Sequence, residues 1–267
     1  MNWQGAPVAR LLPGRSPLEP RIEVLPNDFL DGAQRERIAK RLSDWLAHQV
    51  ARLLAPLAAL REAPLAGSAR GLAFRLVEAL GAVRRAEVEP QVQALTQADR
   101  KALARLGMRF GVHRVFLPAL SRPASAKLSG LLWSIHAGRP PAEPPKGAAP
   151  PADPSLPPDY WAAVGRVALG GIALTHDRVE RLAQAARVLA AQGPFIATQK
   201  LVDLAGCRPG ELAGVLADLG YRADVGPEGT LFSPRRREKD GRRRPKHRKS
   251  VDQASPFAPL AGLLRRP

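Results

Sequence analysis

The stretch that decides the fold of the C-terminal half is ATQKLVDLAGCRPGELAGVLADLGYRADVGPEGTLF, residues 197–232. It predicts a short helix that begins at Thr198 or its neighbour, a tight turn over 206–210, and a second helix from Glu211 that Gly220 ends. Residues 221–225 and 230–232, on either side of a Gly-containing turn, predict a small hairpin. Helix, turn, helix and hairpin follow one another in the order of a winged-helix module.

Two features precede this stretch. Apolar side chains at helical spacing predict a helix over about 176–192, with Val179, Leu182 and Ala186 on its buried face. Before it lies RPPAEPPKGAAPPADPSLPP, residues 139–158, in which 9 of 20 residues are proline. Proline lacks a backbone donor and fixes φ, so we expect an extended spacer between two folded units.

The N-terminal part has the periodicity of a helical unit. A long amphipathic helix is predicted from Asp31 to about Leu60, capped by Asn27, Asp28 or Asp31. Further helices are predicted over 68–85, from Thr96 to Gly107, and between Pro123 and Gly138. Residues 108–120 fit either a buried strand or an irregular apolar segment.

These patterns give the predicted fold class, which is mainly α with one small α+β unit. A bundle-like helical domain is expected over 1–138, a Pro-rich linker over 139–158, and a winged-helix-like domain over 159–232. A basic tail, expected to be disordered, completes the chain over 233–267.

Charge is unevenly distributed along the 267 residues, which carry a formal net charge of +17. Residues 1–138 hold 20 basic and 11 acidic side chains, residues 139–232 hold 9 and 10, and residues 233–267 hold 12 and 3. A pI near 11.3 favours a polyanionic partner.

The tail is the strongest chemical feature, because a run of this charge attaches to phosphates through counterion release. We therefore expect nucleic acid as the partner, with little sequence preference. Two residues of the helix–turn–helix and hairpin, Arg208 and Arg222, are expected to add contacts. The predicted tail contacts are Arg235, Arg236, Arg237, Lys239, Arg242, Arg243, Arg244, Lys246, Arg248 and Lys249.

No catalytic, cofactor or metal site is predicted. The sequence has no G-x-x-x-x-G-K-[ST] loop for a triphosphate and no G-x-G-x-x-G between a strand and a helix. The five histidines are scattered, with no two at i, i+4, and Cys207 has no local signature of a nucleophile. Cys207 is expected to be a small buried or half-buried residue.

Four tryptophans offer base-stacking platforms in principle. Trp45 and Trp133 lie on apolar helix faces, so packing in the core is the better interpretation for both. Trp161 is open between the two roles, and Trp3 is not assigned.

The chain has no apolar run long enough to span a membrane and no secretory signal, and Cys207 is its single cysteine. A cytoplasmic protein with no membrane partner is therefore expected.

Three segments together resemble the C-terminal, post-motor region of bacterial helicase-related proteins similar to the mitochondrial degradosome RNA helicase, a superfamily-two DExH motor. They are DFLDGAQRERIAKRLSDWLAHQVARLLAPL (28–57), ADRKALARLGMRFGVHRVFLPAL with the helix that ends LLWSIHAG (98–138), and GPFIATQKLVDLAGCRPGELAGVLADLGYR (193–222). The resemblance covers nearly the whole chain and rests on overall pattern.

The resemblance implies a nucleic-acid-binding accessory region, RNA more than DNA, that works with an ATP-dependent motor in cis or in trans. ATP and Mg²⁺ are expected only at that missing motor, and no family catalytic residue falls on this chain. Met1 stands before a segment that is internal in the family, which suggests a fragment, a split gene or a misplaced start. Two alternatives remain, a stand-alone winged-helix DNA-binding regulator and a non-catalytic protein-interaction scaffold.

Overall fold

The computed structural model describes residues 1–3, 5–27, 30–226 and 229–235. Two antiparallel hairpins open the chain: β1 (Asn2–Trp3) pairs with β2 (Ala6–Pro7), and β3 (Ala9–Leu12) pairs with β4 (Arg21–Val24). These strands were not predicted, because each is only two to four residues long.

The predicted first helix is two helices, α1 (Gly32–Leu53) and α2 (Ala55–Glu62). Asp31 caps α1: its carboxylate accepts the Gln34 N–H at 2.7 Å, and Gln34 Oε1 accepts the Asp31 N–H. Of the three candidate caps, Asp31 is therefore the residue used, while Asp28 lies outside the described residues. Pro56 at the start of α2 explains the break at Leu54, because proline cannot continue the hydrogen-bond ladder of α1.

The environment of the tryptophans differs in part from the prediction. Trp45 on α1 is 54% exposed, so its assignment to the core is wrong. Leu46 is the buried residue of α1, and other apolar side chains of the helix are half-buried. Trp133 is partly buried against the core, as expected, and Trp161 is 2% exposed. The side chain of Trp3 lies outside the described residues.

The second predicted helix ends earlier than expected. It is α3 (Gly67–Glu78), followed by β5 (Ala82–Arg84) and α4 (Arg85–Ala94). Leu80 (φ 54°) and Gly81 (φ 106°) adopt left-handed backbone angles that stop the helix. Leu72, Leu76, Leu80 and Val83 are nevertheless all buried, as their spacing predicts.

The next elements follow the predicted caps closely. Thr96 and Asp99 form the capping box of α5 (Gln97–Arg105), and α6 (Pro123–His136) begins at the expected proline. Between them lie β6 (Arg109–Phe110), β7 (Arg114–Phe116) and a 3₁₀ turn (Pro118–Ser121). The sheet order β5–β7–β6 shows that part of 108–120 is buried strand.

The Pro-rich segment has almost no regular structure, yet it is packed and is not a free spacer. The Tyr160 hydroxyl donates to Ala142 O at 3.0 Å, and Ala173 N–H donates to Pro150 O at 2.8 Å. Ala142, Ala152 and Leu156 pack against a cluster that contains Tyr160 and Trp161. We call residues 139–158 the strap, because apolar side chains along this segment pack against folded elements.

After the strap come α7 (Pro158–Ala163) and the hairpin of β8 (Arg166–Leu169) with β9 (Ile172–Thr175). Helix α8 (His176–Gln192) has the predicted bounds. The predicted helix–turn–helix and hairpin are α9 (Gln199–Ala205), α10 (Pro209–Asp218), β11 (Tyr221–Gly226) and β12 (Gly229–Pro234). A further short strand, β10 (Phe195–Ile196), joins them in a sheet of order β10–β12–β11.

The described chain is thus mainly helical, with small antiparallel sheets. Residues Met1–Pro234 form the first compact unit of the chain, and of the segment that follows it only Arg235 is described. Within the first unit, the Glu180 carboxylate of α8 accepts three backbone N–H groups from residues 112–114. The Phe116 and His176 rings also meet, with centroids 5.3 Å apart. Because of these contacts, the segments on either side of the strap pack on each other. None of the described helices has the length and apolar character needed to cross a membrane.

Candidate nucleic-acid interface

Buried apolar side chains stabilise the segment of α9 and α10, and Gly206 and Pro209 shape the turn between them. Thr198 precedes α9, whose buried residues are Leu201, Val202 and Ala205. Gly206 (φ 65°) ends α9 in the left-handed conformation and donates its N–H to Val202 O at 2.7 Å. Pro209 then starts α10, as expected for the first turn of a helix.

Arg208 stands immediately before α10 and is exposed. Its backbone N–H donates to the Glu211 carboxylate at 2.8 Å, so Glu211 caps the helix. An acidic side chain in the first turn suits the helix dipole but lowers the attraction of this end for phosphate. The negative charge of Glu211 therefore cancels part of the attraction that Arg208 has for phosphate.

The outward side of α10 offers no side chain that recognises a base edge through a pair of hydrogen bonds. Its exposed residues are Pro209, Gly210, Ala213 and Asp218. The Asp218 carboxylate accepts the Gly170 N–H from the β8–β9 turn at 2.7 Å. A Cβ on Gly170 would lie 2.5 Å from Val215 N, so this turn packs directly on the α10 backbone. Arginine, asparagine and glutamine, the residues that recognise base edges in pairs of hydrogen bonds, are missing from these outward positions.

Arg222 lies on β11 and pairs with Asp224 at 3.0 Å, with both side chains more than half exposed. An exposed pair of this kind contributes about 0–1 kcal/mol, so a phosphate competes with it easily. Register places Arg222 opposite Ser233 and Tyr221 opposite Pro234, the residue before Arg235. Arg222 therefore lies beside the end of β12, whereas Arg208 is at the far end of α10, about 15 Å along its axis.

Of the predicted tail contacts, Arg235 is described and exposed. The other predicted tail residues, Arg236, Arg237, Lys239, Arg242, Arg243, Arg244, Lys246, Arg248 and Lys249, lie outside the described residues.

The structure also brings together cations that sequence reasoning missed. Arg178, Arg181 and Lys200 line a surface depression between α8 and α9, beside Asp203 and Leu204. Arg181 shares the carboxylate of Asp177 with Arg109, at 3.1 and 2.8 Å. Two guanidinium groups on one carboxylate leave a net positive charge. Sequence reasoning missed this cluster because Arg109, Arg181 and Lys200 belong to three separate elements.

Burial raises the pKa of two further titratable side chains, Cys207 and Tyr160. Burial, with Glu211 adding to the effect, raises the pKa of the half-buried Cys207 thiol, which opposes the formation of a thiolate nucleophile. Burial likewise raises the pKa of Tyr160 to about 12. Across the part of the chain that the structure describes, no group of three or more His, Cys, Asp or Glu side chains has a metal-binding arrangement.

Comparison of the chain with protein-family models, curated proteins and solved structures gives no match.

Proposed function

We propose that this chain is the nucleic-acid-binding accessory region of an ATP-dependent RNA helicase, without the motor itself. The observation that carries the proposal is the 12 basic and 3 acidic residues of 233–267, which begin where β12 ends beside Arg222. Such a segment gains affinity from any phosphate backbone through counterion release. The preference for RNA, and the motor in cis or in trans that would use ATP and Mg²⁺, rest on the family resemblance.

The order of elements from α8 to β12 supports a winged-helix-type module. In this interpretation α9 and α10 are the helix–turn–helix and β11–β12 form the wing. The outward residues of α10 include no arginine, asparagine or glutamine, so they do not favour paired hydrogen bonds to base edges. A stand-alone, sequence-specific DNA-binding regulator is therefore the less favoured alternative.

One observation favours protein docking as a second candidate function. On the outer face of the small sheet, Ile196 lies opposite Leu231, and the two are 48% and 42% exposed. An exposed apolar pair beside a strand edge is typical of a contact between proteins. A helicase motor acting in trans is one class of protein that would fit the proposal.

The test is fluorescence anisotropy of a labelled single-stranded RNA with the full chain across a salt series. Replacing Arg242, Arg243 and Arg244 by Gln should weaken binding and reduce the slope of log K against log salt by about 2, since each lost phosphate contact removes roughly 0.7. The matched control replaces three exposed arginines of the first unit by Gln, namely Arg75, Arg105 and Arg122. The control has the same net charge, so a difference in affinity between the two variants shows that the location of the arginines matters.

Equal losses in both variants would mean that binding is diffuse and that the tail has no special role. Absence of binding by the wild-type chain would overturn the proposal. A strong preference for one duplex DNA sequence, lost when Arg208 and Glu211 are replaced, would instead support the regulator.

A further inference from the structure

Trp45 is a large aromatic side chain that the fold leaves in solvent. It is 54% exposed on α1, whereas Trp133 is partly buried and Trp161 is 2% exposed. A single exposed apolar residue is ordinary on a protein surface. The side chains around Trp45 distinguish it from an ordinary exposed residue.

Two arginines and a histidine share the helix face of Trp45 at helical spacing. Arg41 is four residues before Trp45, His48 three after it and Arg52 seven after it, and all three are exposed. These spacings place them on one face of α1, beside the ring. Among the described residues, neither Arg41 nor Arg52 has a carboxylate within 4 Å, and Arg52 donates to Gln49 Oε1 at 2.8 Å. The whole helix carries five Lys or Arg and two acidic residues, Glu36 and Asp44.

Contacts at Leu46, Val50 and Leu53 hold the C-terminal half of α1 against the fold. Leu46 is buried, and Val50 packs against the main core cluster. The Ser125 hydroxyl of α6 donates to Leu53 O at 2.8 Å, and the Asp31 capping box holds the other end. A preorganised platform loses little conformational entropy when it binds.

Phe74 is a second exposed aromatic residue, but its surroundings differ from those of Trp45. It is 62% exposed on α3, but its helical neighbours four residues away are Arg70 and Glu78, whose charges cancel. Trp45 differs because Arg41, His48 and Arg52 share its face, with Asp44 as the acidic neighbour.

From this arrangement we infer that the face of α1 formed by Arg41, Trp45, His48 and Arg52 binds single-stranded nucleic acid. The indole stacks on an unpaired base, and the two arginines contact phosphates on either side of it over about 16 Å of helix. A duplex does not offer a base face to the ring. The inference rests on the proposed function and adds a second contact region, separate in sequence from the basic tail.

The test is anisotropy with a labelled single-stranded RNA and with a blunt RNA duplex, using the full chain. Trp45→Ala should weaken single-strand binding by about 5- to 150-fold and leave its salt slope unchanged, since stacking is lost without loss of charge. Trp45→Phe should keep most of the affinity, while Trp45→Leu, which keeps apolar bulk without the ring, should resemble Trp45→Ala. Arg41→Gln should reduce the slope by about 0.7.

Phe74→Ala is the matched control, an exposed aromatic residue between opposite charges, and should bind like the wild type. Equal weakening of single-strand and duplex binding by Trp45→Ala would overturn the inference, as would wild-type affinity of Trp45→Leu. If Trp45→Ala binds normally while the Arg242, Arg243 and Arg244 variant is impaired, the α1 site is wrong and the proposed function stands. If the wild-type chain binds no RNA, both are wrong.

Discussion

The carboxylate of Glu180 accepts backbone N–H groups from three consecutive residues, with the Arg114 N–H at 2.8 Å. It sits where Gly111 leaves room, since a Cβ there would come within 2.1 Å of the carboxylate carbon. Glu180→Ala strands these donors in a partly buried turn, so we expect a loss of about 3 kcal/mol in the free energy of unfolding. Urea denaturation measures it, with the exposed Glu36→Ala as a control that should change stability by less than about 0.5 kcal/mol.

His176 makes the folded chain sensitive to acid. Burial, assisted by the positive charge of Arg114, lowers the pKa of the His176 ring from 6.5 to about 3. Between these two pH values the His176 ring is protonated in the unfolded chain but neutral in the folded chain. The free energy of unfolding therefore decreases as the pH falls from about 6.5 towards 3. The urea midpoint should decrease over this window.

His176→Gln removes the titrating group, so its stability should depend less steeply on pH, even though the lost ring contact with Phe116 lowers stability at neutral pH. His136→Gln, at an exposed position, should keep the wild-type slope. Identical slopes for His176→Gln and the wild type would show that another group causes the acid sensitivity.

At the scale of single elements, the position of Gly81 decides where α3 stops. Its φ of 106° is unfavourable for other residues, and a Cβ there would lie 2.2 Å from the Leu120 side chain, which is 2% exposed. Gly107 has a similar φ of 87° but open space around it. Gly107→Ala should therefore cost about 1–2 kcal/mol for backbone strain alone, and Gly81→Ala about 1–3 kcal/mol more for overpacking. Equal costs in thermal or urea unfolding would exclude a packing role for Leu120.

The elements that sequence predicted best are those with local signals. The bounds of α8, the Thr96 capping box and the Pro123 start of α6 depend on residues within one or two helical turns. Strand β6 pairs with the nearby β7, but it is only two residues long, so its pattern stayed ambiguous. The short strands β5 and β10 were missed because their partners are distant in the chain. Trp45 was misassigned for the same reason, since helical periodicity shows an apolar stripe but not how much of it a neighbour covers.

The candidate interface was likewise predictable only in its local part. The run of arginines after residue 234 can be read directly from the sequence, and Arg208 and Arg222 follow from turn signals. The pairing of Arg222 with Asp224 depends on side-chain geometry, which the sequence does not show. The packing of the Gly170 turn on α10 depends on tertiary structure. The cluster of Arg178, Arg181 and Lys200 needs two helices to pack before it exists.

For the molecule as a whole, the packed strap has a thermodynamic consequence. If 139–158 were a free spacer, the two flanking parts would unfold independently. Glu180, the Phe116–His176 contact and the cluster around Tyr160 instead join them, so residues 1–234 should unfold in one cooperative step.

Leu216→Ala tests this cooperativity, because Leu216 is fully buried in the cluster of the C-terminal half and its truncation costs about 2–5 kcal/mol. In one cooperative unit that loss should also accelerate hydrogen exchange at the most protected amides of α3, around Leu72 and Leu76 in the other core cluster. The exposed Val188→Ala, also in the C-terminal half, should leave them unchanged. Faster exchange confined to α8–α10 would mean that the strap joins two units that fold separately, because only an independent unit can lose stability without its neighbour.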